Sequence, residues 1–156
     1  MLPSFLPTIT VSELMKDAIN PNTRALWDAV SYTVTEKGAT DTKPTTAADW
    51  AALRVKAEAL KKAAATLMLP ALKIADDQQA TPAYQYTPAE MEQLRQSNPD
   101  PWRRYADRLL STTQRVIDDI EKQDVDAYVE DGAQINQACE GCHAEFWYRE
   151  RQRRFQ

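Results

Sequence analysis

The sequence predicts an all-α fold, and three observations carry that expectation. Only three of the 156 residues are glycine. Ala, Leu, Glu, Gln, Lys and Arg, the strong helix formers, are abundant. Apolar residues recur at intervals of three and four rather than alternating. A chain of this length is one domain of ordinary size that can bury its own core, so residues 1–156 are read as a single unit.

The first helix is expected over 10–34. Thr10 with Glu13 three residues on is a capping-box pattern, and Val11, Leu14, Met15 and Ala18 then share a face. Pro21 lacks the backbone N–H a helix interior needs, so a break is expected there, with Asn22 capping a continuation through Leu26, Trp27 and Val30. Residues 36–46, "EKGATDTKPTT", read as loop, and no stretch reads as a strand. A second helix is expected over 46–75, from the stripe Trp50, Leu53, Ala57, Leu60, Ala64, Leu67, Met68, Ala71 and Ala75, kinked at Pro70. After a second connection, Thr87, Pro88 and Glu90 start a short helix over 88–97. A third long helix follows over 101–122, with Trp102, Tyr105, Ala106, Leu109, Thr113, Val116, Ile117 and Ile120 inward.

The last helix is expected over 125–150. Val125, Tyr128, Val129, Gly132, Ile135, Asn136, Cys139, Cys142, His143, Phe146 and Trp147 form its inner stripe, with Glu140 and Gly141 turned outward. Trp27, Trp50, Trp102 and Trp147 all fall on inner faces, where indoles fill cores. Four long amphipathic helices describe a four-helix bundle, a fold that keeps cofactors in its interior.

Composition excludes some partners. A formal net charge of −4 does not suit a nucleic-acid binder, which needs a basic surface against phosphates. No apolar run reaches the roughly 18 residues that span a bilayer, and "MLPSFLPTIT" lacks the basic start and unbroken apolar stretch of a signal peptide.

Both cysteines and the only histidine stand within "CEGCH", residues 139–143. C-x-x-C-H is the attachment sequence for c-type haem: each thiol adds to a vinyl group as a thioether, and the adjacent imidazole ligates iron. Two thiols three positions apart reach two vinyls on one porphyrin edge, and the next residue brings its imidazole beneath the metal. A thioredoxin-like dithiol would instead sit at a helix N-terminus in a βαβ setting. A zinc site lacks a fourth ligand, Glu145 being poorly spaced for it.

With the motif on the last helix, and "SELMK" in the first, the chain resembles the cytochrome c prime family and its low-spin cytochrome c-556-type relatives. That resemblance implies a four-helix bundle carrying one covalent haem c through Cys139 and Cys142, with His143 as the proximal iron ligand. It also implies a periplasmic location, redox partner proteins, and pairing of bundles as antiparallel homodimers. In the family the residue opposite the proximal histidine is either apolar, leaving iron open to nitric oxide or carbon monoxide, or a methionine, giving an electron carrier. Met15 lies in the segment resembling the distal one and is the first candidate ligand; Met68 is the second, and an open site with Leu14 as its lid is the alternative. Met1 is terminal and Met91 sits on the short helix. Lys16 lies about 100° further round the helix and would need deprotonation to bind iron.

The leading function is therefore one-electron transfer, the alternative reversible binding of a diatomic gas, and the third a metal-free or zinc-bound helical interaction module. The arginines of "RERQRR", 149–154, suit a helix C-terminal dipole, with pairing to haem propionates as the other reading. Tyr84 and Tyr86 are candidates for a docking edge.

Overall fold

The computed structural model describes residues 9–76 and 80–149. Met1 and positions 150–154 of the arginine-rich segment lie outside them. The fold is mostly helical with one small two-stranded sheet.

The first helical run starts as expected chemically and then departs from a simple helix. Thr10 accepts from the Glu13 amide at 3.1 Å while the Glu13 carboxylate takes the Thr10 amide at 2.7 Å, launching α1 (Val11–Leu14). A π-helical turn, Met15–Ile19, follows, and α2 (Asn20–Asp28) continues without a break. Pro21 explains the wide turn. Its ring would meet the carbonyl four residues back in a regular α-helix, and here the Asn20 amide instead reaches back five residues to the Met15 carbonyl. Asn22 is not a cap: its side chain donates to the Ala18 carbonyl at 2.7 Å. The extra residue also resets the buried face, which runs Val11, Leu14, Ile19, Thr23 and Leu26.

Residues 31–34, expected as the end of that helix, form strand β1 (Ser31–Thr35), which pairs antiparallel with β2 (Gly38–Thr42). The expectation of no strand, and of a plain loop over 36–46, is corrected by this hairpin. Its cause is local: Thr and Val alternate through β1, and Gly38 turns the chain at φ 122°, a conformation side chains resist. Every hairpin residue is exposed, so nothing but the turn and the ladder specifies it. Tyr32→Ala and Val34→Ser are accordingly expected to change global stability by less than about 0.5 kcal/mol, checked by denaturant unfolding; a larger loss would mean that the hairpin packs on the helices.

α3 (Ala47–Leu67) starts at Thr46 with a second capping box and buries Trp50, Leu53, Ala57, Leu60, Ala63, Ala64 and Leu67. It ends at Met68 rather than running kinked to 75. Pro70 disfavours helix in the residue before it, and the chain beyond is irregular. That segment still belongs to the core. Leu72, Ile74 and Ala75 are buried, and the Lys73 and Ile74 carbonyls accept from the Val11 and Ser12 amides, two donors that a helix start leaves without partners.

α4 (Pro88–Ser97) has Thr87 as its cap. α5 runs Pro99–Lys122, two residues earlier than expected, and stops where Gln123 adopts a left-handed conformation at φ 53°. α6 (Val125–Phe146) starts from Asp124, whose carboxylate accepts from the Ala127 amide at 3.1 Å. It ends four residues before 150, because Tyr148 leaves the helix to bridge to Gln85.

α5 packs against both α3 and α6, α2 against α3 and more lightly α6, and α4 covers the end of α5 and α6. Polar groups fix the crossings. The Trp27 indole donates to the Gly132 carbonyl at 2.9 Å, the Trp102 indole to the Leu67 carbonyl at 2.8 Å, and the buried Tyr128 hydroxyl to the Leu26 carbonyl. Trp50 meets Tyr128 edge-on at 6.0 Å between ring centres. Trp27, expected inside, is 39% exposed and joins the fold through its N–H.

Candidate functional site

The CEGCH sequence occupies the last two turns of α6, and its surroundings are built from three sides. The buried line of α6 runs Tyr128, Gly132, Ile135, Ala138 and Phe146. Cys139, Cys142 and His143 flank that line and are half-buried. The inner stripe is thus rotated from the expected one: Val129 is 48% exposed, and Gly141, expected outward, faces α5. A Cβ at Gly141 would stand 2.8 Å from Tyr105 Cε1, so glycine is what lets this ring lie against the motif. The Tyr105 hydroxyl donates to Glu145 Oε2 at 2.7 Å, which with burial raises its pKa. Gly141→Ala is expected to displace Tyr105 at about 1–3 kcal/mol, offset by about 1 kcal/mol of helix propensity. The net loss, about 1 kcal/mol, is read from chemical denaturation, and a gain in stability would contradict it.

Two adjoining cavities open beside the motif. The smaller, about 250 Å³, is bordered by Ile19, Asn20, Thr23, Arg24, Trp27 and, on α6, Asn136, Cys139 and Glu140. Glu140 is exposed, as expected of a residue turned away from the core, and also borders this cavity. The larger, about 510 Å³, is bordered by Ser12 and Lys16, by the 80–88 segment, and by Phe146 and Trp147 of the motif's C-terminal side. Met15, Asn20, Trp102, Cys142 and His143 border both, so Met15 and His143 stand at the junction on different helices.

The expected residues divide accordingly. Met15, Cys139, Cys142 and His143 are brought together. Leu14 is 5% exposed and packs in the core, bordering neither cavity, so it is not placed as a lid; Ile19 borders the smaller one. Met68 caps α3 and borders neither, while Met91 lines the larger. Ile19, Asn20, Thr23 and Arg24 are additions to the expected set. Pro21 is the signal for them, because the wide turn that accommodates it shifts the helical phase by one residue.

The electrostatics of the motif are those of buried, uncharged donors. Burial pushes the Cys139 thiol up to about 11, with Glu140 adding to it. Burial, then Cys139 and Glu145, push Cys142 to about 12. Both thiols are free and protonated at neutral pH, the reverse of the low-pKa thiolate a disulfide exchanger uses. Burial lowers the His143 pKa against the opposing pull of Glu140, which keeps the imidazole neutral with a lone pair to offer. His143 meets Trp147 edge-on at 4.9 Å, and Trp147 stacks on Tyr148 at 5.2 Å.

Arg149, the one described arginine of the C-terminal cluster, is already engaged. It binds Glu90 at 2.8 Å and the Gln85 carbonyl at 3.1 Å, and lies over the Tyr86 ring at 5.3 Å. Tyr84 is exposed and Tyr86 half-buried. Among the described residues no three His, Cys, Asp or Glu side chains form a group that could hold a metal ion unaided, and no helix is long and apolar enough to cross a membrane.

Comparisons with protein-family models, with curated proteins and with solved structures found no match.

Proposed function

We propose that this chain is a mono-haem c-type cytochrome of the four-helix-bundle kind, acting in one-electron transfer in the periplasm with protein redox partners. One observation carries the reading: two free thiols and a neutral imidazole, spaced C-x-x-C-H, border cavities that a thioether from another helix, Met15, borders as well. The residues fit a covalently held porphyrin. Cys139 and Cys142 would supply the thioether links, His143 and Met15 the ligands to iron, and the adjoining apolar walls the dry surroundings. Cavities of about 300–1,000 Å³ serve small-molecule ligands generally. When bound, the haem supplies the reversible iron redox change. The chain's own part would be to hold the group through α6, to present sulfur from the π turn, and to exclude water with Trp102, Ile19 and Phe146. α2, α3, α5 and α6 are the four helices of the proposed bundle.

Reversible binding of a diatomic gas is the second reading, favoured by Thr23. Thr23 borders the smaller cavity, and its hydroxyl is buried without a hydrogen-bond partner, so an unpaired polar group stands within the wall of this space.

The test is intact mass under denaturing conditions after expression with c-type maturation machinery. The mass should exceed that of the polypeptide by one haem, and Cys139→Ala/Cys142→Ala should abolish the increment. Complete loss of haem to acid–acetone in the native protein overturns the assignment.

A further inference from the structure

The two cavities differ in the charge they offer, and, on the haem reading above, this decides how a ring held by Cys139 and Cys142 must lie. Along α6 the smaller cavity takes the N-terminal side of the motif, with Asn136, Cys139 and Glu140, and the larger takes the C-terminal side, with Phe146 and Trp147. In a protohaem-derived ring the two propionate-bearing pyrroles stand on the edge away from the vinyl groups that thiols capture. Thiols at 139 and 142 would hold the vinyl edge and His143 the iron, so the carboxylate edge would extend towards the C-terminal side of the motif, which the larger cavity takes.

Carboxylates leaving bulk water need a counter-charge or several donors. Lys16 is the only ammonium or guanidinium group among the described residues bordering the larger cavity, where Ser12, Gln85 and Tyr86 add polar side chains. Arg24, the corresponding cation of the smaller cavity, shares its rim with the Glu140 carboxylate, which would repel another. Arg149 stands behind Tyr86 with Glu90 as its partner. We infer that Lys16, with Ser12, Gln85 and Tyr86, forms the seat of the haem propionates, and that Lys16 provides their counter-charge. The lysine beside Met15 is thus a positioning residue for the cofactor rather than a competitor for iron.

The experiment uses the matured holoprotein and three variants, Lys16→Gln, Lys16→Arg and Arg24→Gln, with intact mass first establishing that haem is attached. Two signals are then read: the propionate-bending bands in resonance Raman spectra and the midpoint potential. Lys16→Gln should shift the propionate bands and lower the potential, because removing a nearby positive charge favours ferric iron. Lys16→Arg should restore both, and Arg24→Gln, although it too removes a positive charge near the site, should leave the propionate bands as in the native protein. Unchanged bands in Lys16→Gln, or an equal shift in Arg24→Gln, overturns the inference while the haem assignment stands. Absence of the haem mass increment overturns both together. Should Lys16→Gln fail to accumulate, Tyr86→Phe is judged by the same Raman criterion.

Discussion

In the haem-loaded protein, Met15→Ala is expected to turn a low-spin, six-coordinate ferric centre into a high-spin one. Position is the reason. Met15 and His143 are on different helices, yet both border the two cavities where these meet. Met15 is half-buried and packed against the core, which restricts its thioether and offsets the entropy of holding sulfur near a metal. A thioether is a suitable soft ligand for haem iron and raises its potential. Four signals should change together in the variant: the weak long-wavelength band of methionine-ligated ferric haem disappears, the spin state rises, the potential falls, and reduced protein binds carbon monoxide readily. Met68→Ala is the control, because Met68 caps α3 and borders neither cavity. A native protein that is already high-spin, or a band lost in Met68→Ala and kept in Met15→Ala, would show that sulfur from this turn is not the ligand. The high-spin outcome would move the function towards gas binding, with Thr23 and Ile19 the side chains to vary next.

The second large effect concerns stability and lies far from the motif. Asp119 is 7% exposed on α5, and its Oδ2 has no hydrogen-bond partner. Burial first, then a hydrogen bond and repulsion from Asp131, raise its pKa from 3.8 to about 6. Asp131 is itself held by Arg115 at 3.0 Å, while Lys122 pulls Asp119 the other way and Asp124 adds repulsion. A carboxyl whose folded pKa lies above its unfolded one binds more protons folded than unfolded. Stability therefore falls as pH rises from about 4 to about 6, and the penalty is complete above that range. Asp119→Asn removes the charge but keeps the shape. At pH 7 it is expected to stabilise the fold by up to about 3 kcal/mol, because each tenfold change in proton affinity on folding is worth about 1.4 kcal/mol. Below the unfolded pKa the gain should vanish. Urea titrations at pH 7 and pH 3.5 make the comparison, and an equal effect at both values would mean that ionisation of Asp119 is not the cause.

Helical segments with strong caps and uninterrupted stripes are legible from residues alone. Thr10 and Thr87 cap as their sequences suggest, and Trp50, Leu60, Val116 and Ile117 are buried where a 3.6-residue period puts them. Three departures have separate physical causes. The 31–42 hairpin is two-sided and solvated, so no apolar alternation announces it, and Gly38 is its one strong sign. Residues 72–75 are largely buried without being helical, a state that periodicity cannot separate from a continuing helix. The buried step from Leu14 to Ile19 is five residues, a spacing no α-helical template contains. In the candidate site, chemistry is easier to read than surroundings. Cys139, Cys142 and His143 stand out by type and spacing, and Met15 by its segment; the polar groups around them depend on which way each helix is rotated.

That five-residue step changes what the first helical run can tolerate. The run behaves as two rotors on one axle, α1 phased by Val11 and Leu14 against the 72–75 segment, α2 phased by Thr23 and Leu26 and tied to α6 through Trp27. Met15 begins the joint between them. Tightening the joint to an ordinary α turn with all its residues kept would swing the rotors by about 100° relative to each other, whereas removing one residue at the same time would leave them in phase. After such a swing, either sulfur would leave the junction or the Trp27 anchor would lose its carbonyl. The place of Met15 beside the motif is thereby set by the width of one helical turn as much as by a residue type, and a chain whose 15–19 segment closed as an ordinary α turn would put a different wall around the two cavities.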